Sequence, residues 1–153
     1  MPDERTIATN RRARHDYFIE DRIEAGIALK GTEAKSLREH GASLVEGYAR
    51  IEGGEVWLHD VHIAPYEQGN RWNVEPRRAR RLLLHKREIV RLRQRTEQKG
   101  YTLIPLRMYF KDSYAKVELG VCRGKRQYDK RRAIAERDER RDLERQLRER
   151  SRE

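Results

Sequence analysis

The chain has 153 residues, of which 41% are charged, and a formal net charge of +10. This length supports one hydrophobic core with an appendage, and the basic excess indicates a polyanionic partner, with nucleic acid as the leading candidate. The sequence has no stretch of roughly 20 apolar residues that could span a bilayer, and its N-terminus lacks the apolar run of a secretory signal. We therefore expect a cytosolic protein with no membrane partner. Its single cysteine, Cys122, cannot form an internal disulfide and is expected to be a small buried hydrophobe.

The N-terminal part is predicted to contain a long strand followed by a helix. The strand lies around residues 17–23, and residues 26–29 extend it after Gly26 permits a bend. The helix lies in TEAKSLREHG, with Thr32 as a candidate N-cap and Gly41 as the stop signal.

Two antiparallel hairpins are predicted from hydrophobic alternation. The first joins residues 44–51 to residues 56–63 through two glycines, which accept the positive φ of a tight turn. The second joins TLIPLRMYF to YAKVELGVC through residues 111–113. In its first strand, four alternate residues are expected to share one side: Ile104, Leu106, Met108 and Phe110. In its second strand, the equivalent set is Ala115, Val117, Leu119 and Val121.

Residues 76–100 are predicted to form two consecutive helices. Pro76 suits a first helical turn, and Gly100 marks the end. The apolar residues between them do not form one stripe, so a break is expected near His85. Arg and Lys dominate the segment PRRARRLLLHKREIVRLRQR, with Glu88 as its one acid, a composition that favours contact with RNA phosphates and bases.

The predicted fold is mainly β with helices, an OB-type antiparallel β-barrel of about six strands with helices in the connections. Such barrels often offer a nucleic-acid-binding face. In the loop before the basic segment, the indole of Trp72 is expected either to stack on an unpaired base or to fold back over the barrel. We expect residues 1–122 to form the barrel and residues 123–153 to form a C-terminal tail.

Catalytic and metal-binding patterns are weak in this sequence. His59 and His62 lie in a predicted strand at a spacing that points them to opposite faces, so they cannot both ligate one metal. Metal, phosphate-loop and nucleophile-elbow motifs are absent from the sequence. We expect no cofactor and no catalytic residue. The alternative from a different class is a metal-dependent nuclease whose carboxylates are brought together by folding.

The tail, residues 123–153, carries 13 Lys and Arg against 8 Asp and Glu, a net charge of +5. High charge with few apolar residues predicts disorder in the free protein, because apolar burial does not offset the entropy of ordering. Glu136 with Arg140, and Glu144 with Arg148, have the favourable helical spacing. We therefore expect a flexible basic tail that becomes helical when bound. The alternative is a generic tail that improves solubility or binds RNA without selectivity.

Three segments carry a resemblance to a known family: NRRARHDYFIEDRIEAGIALKGTEAKSLREHG, HIAPYEQGNRWNVEPRRARRLLLHKREI and GKRQYDKR. From about Asn10 to Arg132, they are similar in order and spacing to the SmpB family of SsrA-binding proteins. The strongest element is the family signature LKGTEAKSLR, which departs from the usual pattern by Ala34 in place of a branched residue. The resemblance implies an OB-type barrel with a tail that is flexible in free solution.

The resemblance also implies a non-enzymatic RNA-binding adaptor. Family members bind the tRNA-like domain of transfer-messenger RNA, whose aminoacylated form comes with elongation factor Tu, and enable its entry into stalled ribosomes for trans-translation. Their tail occupies the vacant mRNA channel near the small-subunit decoding centre. The partners expected here are therefore transfer-messenger RNA and the ribosome. The alternative is a ribosomal or general structured-RNA-binding OB protein, which would bind many folded RNAs with similar affinity.

The candidate RNA-binding positions combine the family's motifs with the basic segment and the tryptophan loop. They are Asn10, Arg11, Glu24, Glu33, Lys35, Ser36, Arg38, Trp72, Arg77, Arg78, Arg80 and Arg81. Lys35 and Arg38 are expected to contact phosphate. Ser36 and Asn10 are expected to bond ribose or base edges, and Glu24 to orient a neighbouring Arg.

Other positions carry a structural alternative. Glu33 is expected either to contact RNA or to pair with an Arg or cap a turn, and Leu82 and Leu83 are expected in the core. The candidate tail positions are Gly124, Lys125, Arg126, Tyr128, Asp129, Lys130 and Arg131. Among these, the ring of Tyr128 is expected to stack on an exposed ribosomal RNA base.

Overall fold

A computed structural model describes residues 4–125, 141 and 143–148, with residues 70–72 described by their backbone alone. The chain divides into two compact units, residues 1–123 and residues 124–153. The described elements, in chain order, are β1 (Glu4–Thr9), α1 (Arg11–Asp16), β2 (Tyr17–Ile27), α2 (Gly31–His40), β3 (Tyr48–Glu52), β4 (Glu55–His59), a 3-10 helix (Glu67–Trp72), β5 (Arg80–Leu83), α3 (Lys86–Thr96), β6 (Tyr101–Lys111) and β7 (Tyr114–Gly124).

The seven strands that the structure describes form one mainly antiparallel sheet in the order β1-β6-β3-β4-β5-β2-β7. Because β6 also pairs with β7, the six strands from β6 to β7 close into a ring, and β1 adds to β6 outside it. The ring encloses one main hydrophobic core. This architecture confirms the predicted mainly β fold of the OB type. Within the described residues, no helix is long and apolar enough to cross a membrane.

Both predicted hairpins are confirmed, and the backbone angles of their turns explain why these turn residues stand between the strands in the sequence. Gly53 and Gly54 have φ angles of 58° and 77°, and they connect β3 to β4. In the turn between β6 and β7, Asp112 and Ser113 have φ angles of 50° and 72°. Positive φ at both central residues matches the right-handed twist of the flanking strands, so each turn sets the register of its hairpin.

The prediction that four alternate residues of β6 share one side is wrong, because a β-bulge interrupts the strand between Pro105 and Arg107. Ile104 precedes the bulge and Leu106 lies within it. Both pack in a small second cluster with Cys122. Met108 and Phe110, beyond it, lie in the main core. The four residues predicted to share one side of β7 all face the main core, as predicted. A bulge adds one residue to a strand and so reverses the side that later residues face.

The sequence analysis missed β1 and α1, which precede the first predicted strand. Asn10 caps α1, since its side-chain Oδ1 accepts a hydrogen bond from the Ala13 amide at 3.2 Å. Thr32 was predicted to cap α2, but the N-cap is Lys30, so the helix begins two residues earlier than predicted. The Glu33 carboxylate accepts the Lys30 amide proton at 2.9 Å, which satisfies a donor that the helix leaves free.

The prediction of two consecutive helices in residues 76–100 is wrong for the first of them. The break near His85 is confirmed, because this residue is the N-cap of α3. Residues 80–83 before it form strand β5, where Arg80 and Leu82 are buried and Arg81 and Leu83 are exposed. This is strand periodicity, and β4 and β2 supply the backbone partners on either side.

Two predictions about buried residues have different outcomes. Cys122 is buried as predicted, and burial raises the pKa of its thiol to about 12. Leu82 is in the core as predicted, whereas Leu83 is 47% exposed, so its predicted core position is wrong.

In the second unit, the described residues 141 and 143–148 are helical, and Leu143 and Leu147 are exposed.

The opposite faces of β5 generate a stability prediction. Leu82→Ala should lower the free energy of unfolding by about 2–5 kcal/mol, because it leaves a cavity in the core. Leu83→Ala should cost less than about 1 kcal/mol, because this side chain is largely in water. Denaturant unfolding of the two variants beside the wild type measures both values. Equal losses would contradict the strand assignment, since a buried helix would hide both neighbours.

Candidate nucleic-acid interface

A buried ionic cluster of Glu33, Arg78 and Arg80 joins α2 to β5. The Oε2 atom of Glu33 accepts hydrogen bonds from Arg80 Nε at 2.5 Å and from Arg78 Nε at 3.2 Å, and its Oε1 atom accepts one from Arg78 Nη2. Arg80 also donates to the carbonyl oxygens of Val61 at 2.7 Å and Pro76 at 2.9 Å. Glu33 is 4% exposed and Arg80 is 0% exposed, so these charges have left water completely.

The hydrogen bonds of this cluster determine the charge states of its members. Burial alone would raise the pKa of Glu33, but the hydrogen bonds from Arg78, the Lys30 amide and Arg80 lower it below its usual range. Burial lowers the pKa of Arg80, and Glu33 opposes that shift. Because an arginine starts above about 12, its guanidinium stays protonated at neutral pH. The cluster therefore carries one buried negative and two positive charges.

Burial corrects the predicted roles of three polar candidates. The predicted RNA contact of Arg80 is wrong, because its guanidinium is inaccessible and bonded within the protein. For Glu33, the structure bears out pairing with Arg and capping of α2, the structural alternative. Ser36 is fully buried and donates to the Ala64 carbonyl oxygen at 2.5 Å, so the predicted contact with ribose or base edges is wrong.

Asn10 is also structural in this fold. Besides capping α1, its amide nitrogen donates to the carbonyl oxygens of Leu44 at 3.3 Å and Pro105 at 3.0 Å. The side chain is buried, and these two hydrogen bonds hold the start of α1 against the barrel. Its predicted contact with RNA is therefore wrong, although loss of this residue would displace the neighbouring Arg11.

Glu24 has partners that the sequence did not signal. The hydroxyl of Tyr109 donates a hydrogen bond to Glu24 Oε2, and Lys111 Nζ lies 3.6 Å from Oε1. The hydrogen bond from Tyr109, aided by Lys111 and opposed by partial burial, lowers the pKa of the Glu24 carboxyl. The prediction that Glu24 orients a neighbouring Arg is wrong. The sequence did not indicate Tyr109 as a partner, because its contact with Glu24 depends on how the strands are arranged in the fold.

The remaining described candidates form an exposed cationic set. Its members are Arg11, Lys35, Arg38, Arg77 and Arg81, with Arg78 half-buried behind them. Lys35 Nζ lies 5.8 Å from the ring centroid of Tyr66, and the Arg38 guanidinium lies 5.5 Å from that of Phe110. Such rings restrict a cation without neutralising it. These side chains can bind phosphate groups, and α2 presents two of them on its outer side.

Several candidates lie partly or wholly outside the described residues. These are the side chain of Trp72 and the tail residues Arg126, Tyr128, Asp129, Lys130 and Arg131. Gly124 ends β7, and Lys125 follows it in the second unit. In the part of the chain that the structure describes, no three His, Cys, Asp or Glu residues are grouped to hold a metal ion.

Known proteins similar to this chain share its length and fold. A family model described as SmpB protein matches residues 7–149. The SsrA-binding protein of Carboxydothermus hydrogenoformans is 58% identical over 145 residues, covering 95% of this chain and 97% of that protein. The SsrA-binding protein of Roseiflexus sp. is 59% identical over 150 residues, with coverage of 97% and 95%. A solved chain described under "tmRNA-SmpB: a journey to the center of the bacterial ribosome" matches with a TM-score of 0.67 and 56% identity, over 78% of this chain and 85% of that chain.

The buried cluster predicts a large and pH-dependent loss of stability in Glu33→Gln. Removing the carboxylate charge leaves two guanidiniums without a counter-ion, which should cost about 3–5 kcal/mol of unfolding free energy at pH 7. Because the folded pKa of Glu33 is below the usual 4.5, its contribution is fully present above that pH and is lost as the pH falls through the folded value. The difference in stability between the wild type and the variant should therefore begin to shrink below about pH 4.5 and should disappear only below the folded pKa of Glu33.

The matched control is Glu46→Gln, which removes a carboxylate that pairs with the exposed Arg77. Water screens that pair, so its loss should leave stability unchanged at every pH. Denaturant unfolding between pH 3.5 and 7 compares the three proteins. A Glu33→Gln loss as small as that of the control would contradict the assignment of a buried ionic cluster.

Proposed function

The chain belongs to the SmpB protein family, and on that premise we propose that it is an RNA-binding adaptor for trans-translation. It binds the tRNA-like domain of transfer-messenger RNA and enables its entry into stalled ribosomes. The observation that carries this proposal is the match of a family model to residues 7–149, together with relatives named SsrA-binding protein that align along nearly their whole length.

The exposed cationic set supports contact between the first unit and the RNA. Lys35 and Arg38 are three residues apart on α2, so their side chains are neighbours on the surface of the helix. Arg11, Arg77 and Arg81 add guanidiniums that can fork onto phosphates. The adaptor itself performs no chemistry; the ribosome transfers the peptide, and elongation factor Tu delivers the aminoacylated RNA. Such a role places the protein in the cytoplasm.

The C-terminal tail, residues 123–153, has a separate role in this proposal. Its net charge of +5 suits a channel lined by ribosomal RNA, where it becomes helical and probes the empty mRNA path and the decoding centre. The segment from Gly124 to Arg131 lies at the decoding centre, with the ring of Tyr128 stacked on a base. The helical residues 141 and 143–148 are consistent with a tail that has helical propensity.

The cationic surface of α2 generates a binding prediction. Replacing both Lys35 and Arg38 by Ala should weaken binding to the isolated tRNA-like domain and reduce the slope of log K against log salt concentration by about one per lost phosphate contact. Filter binding across a salt series measures both quantities. In the control, Lys35→Arg with Arg38→Lys keeps both charges and should keep the wild-type slope. An unchanged slope in the alanine variant would exclude these two side chains from the interface.

Truncation after Gly124 should separate the two roles. The truncated protein should bind the tRNA-like domain within about twofold of the wild type, because the cationic set remains, but it should not support peptide transfer to transfer-messenger RNA. Single-turnover transfer on ribosomes with an empty decoding site provides the second readout. Loss of most RNA affinity at physiological salt would show that the tail belongs to the binding surface.

Within the tail, the full-length variants Tyr128→Phe and Tyr128→Ala refine this test. Phe keeps the ring and should keep most of the transfer rate. Ala should slow transfer about tenfold, the effect of losing a stack of about 1.4 kcal/mol. If Ala matched the wild type while Phe did not, the hydroxyl and not the ring would be responsible.

A further inference from the structure

The outer face of β3, β4 and β5 combines aromatic and basic side chains. Along all three strands, alternate residues point into the core, as the burial of Ala49, Val56, Leu58 and Leu82 shows. The residues between them therefore face outward. We call this set the hairpin face: Tyr48, Arg50, Trp57, His59 and Arg81.

The register of the strands arranges these side chains in two rows. In one row, Trp57 on β4 lies between Arg50 on β3 and Arg81 on β5. In the other row, Tyr48 lies opposite His59, and their rings are stacked with centroids 5.2 Å apart and planes 16° from parallel. Directly opposed residues have Cβ atoms about 5 Å apart, so the side chains within each row lie side by side, with Tyr48 and His59 partly buried.

Tyr48 lines two clefts, the first of about 460 Å³ and the second of about 440 Å³. The second cleft lies where β3 meets β6, whose register consists of the single pair Ala49 with Leu103 in the described structure. Its lining adds Arg93 of α3 and Tyr101 of β6 to the hairpin face. A volume of this size falls within the range of small-ligand sites.

The charge balance at the second cleft favours an anion. The guanidiniums of Arg50 and Arg93 line it, and Glu97 is the carboxylate among its lining residues. Glu52 lies 3.8 Å from Arg50 Nη1 and 3.3 Å from His59 Nε2. Arg50 is 65% exposed, so its pair with Glu52 is weak and can be exchanged for a phosphate.

We propose that the hairpin face and the second cleft are a second RNA-binding surface, which takes one or two unpaired nucleotides. A base stacks at Tyr48, whose ring His59 supports, and the adjoining phosphates bind Arg50 and Arg93. The inference rests on the proposed RNA-binding function and adds a site distinct from Lys35 and Arg38 on α2.

Unpaired RNA fits this chemistry better than duplex RNA. Aromatic side chains stack on bases that are free of their neighbours, and they do so without strong preference for one base. A duplex keeps its bases stacked on each other and offers side chains mainly phosphates and 2′-hydroxyls. A surface meant for duplex alone would need the arginines but not the paired rings of Tyr48 and His59.

The test uses the full chain and a fluorescein-labelled, non-self-pairing RNA hexamer of mixed sequence, with binding measured by fluorescence anisotropy at low salt. Tyr48→Leu, which keeps an apolar side chain against the barrel, should lower the affinity about tenfold, and Tyr48→Phe should match the wild type. Arg50→Ala and Arg93→Ala should each reduce the slope of log K against log salt concentration by about 0.7. The matched control is Tyr114→Leu, which removes an exposed tyrosine of β7 outside this surface and should have no effect.

The outcomes separate this inference from the proposed function. The inference is overturned if the hexamer does not bind, or if Tyr48→Leu changes its affinity no more than Tyr114→Leu does. The tRNA-like domain is titrated in parallel: if it binds normally while the hexamer does not, only the inference fails, and if neither binds, the proposed function fails too.

A competition arm identifies the source of the nucleotides. Displacement of the hexamer by the tRNA-like domain supports the surface as part of that complex. Simultaneous binding of both supports a surface that remains free for ribosomal RNA. Circular dichroism and unfolding of Tyr48→Leu confirm that the variant is folded, so a lost affinity reports on the ring.

Discussion

The carboxylate of Glu33 is the constraint on which the arrangement of the cationic surface depends. A buried carboxylate is stable only when its hydrogen bonds are fully formed, because the desolvation of Glu33 and Arg80 must be offset by their hydrogen bonds. Glu33 lies on α2, Arg80 begins β5 and Arg78 precedes that strand, and Arg80 also donates to the carbonyl oxygen of Val61. The helix therefore cannot shift against the barrel without leaving a charge unpaired.

The polar residues of α2 fall into two groups, one that attaches the helix to the barrel and one that is exposed on its outer side. Glu33 and Ser36 face inward, where Ser36 bonds the Ala64 carbonyl and ties α2 to the segment after β4. Lys35 and Arg38 face outward over aromatic rings. Fewer than two turns of helix thus provide both the attachment to the barrel and the cations that can bind RNA. Substitutions of the inward and outward residues should accordingly have different signatures, in stability for the first and in salt dependence for the second.

The sequence predicted those features whose causes are local. The β6–β7 hairpin combined alternation with turn residues, and Gly53 with Gly54 signalled the β3–β4 turn, so both hairpins were predictable. Strand β5 was not, because RRLLL consists of good helix formers and its strand conformation comes from partners on β4 and β2. Family resemblance likewise identified Asn10 and Ser36 as important positions, but their burial arises from contacts distant in sequence. In a sequence, a polar residue that maintains the shape of a binding surface cannot be distinguished from one that touches the ligand.

The measurement that most directly tests this account is crosslinking of the full-length protein to RNA in its native cell, followed by recovery and sequencing of that RNA. The account predicts strong enrichment of transfer-messenger RNA at its tRNA-like domain, with ribosomal RNA of the small subunit as the other main species. Replacing Lys35 and Arg38 by Ala should remove the first enrichment. Reads spread over many folded RNAs in proportion to their abundance would contradict a dedicated adaptor and indicate a general RNA-binding barrel.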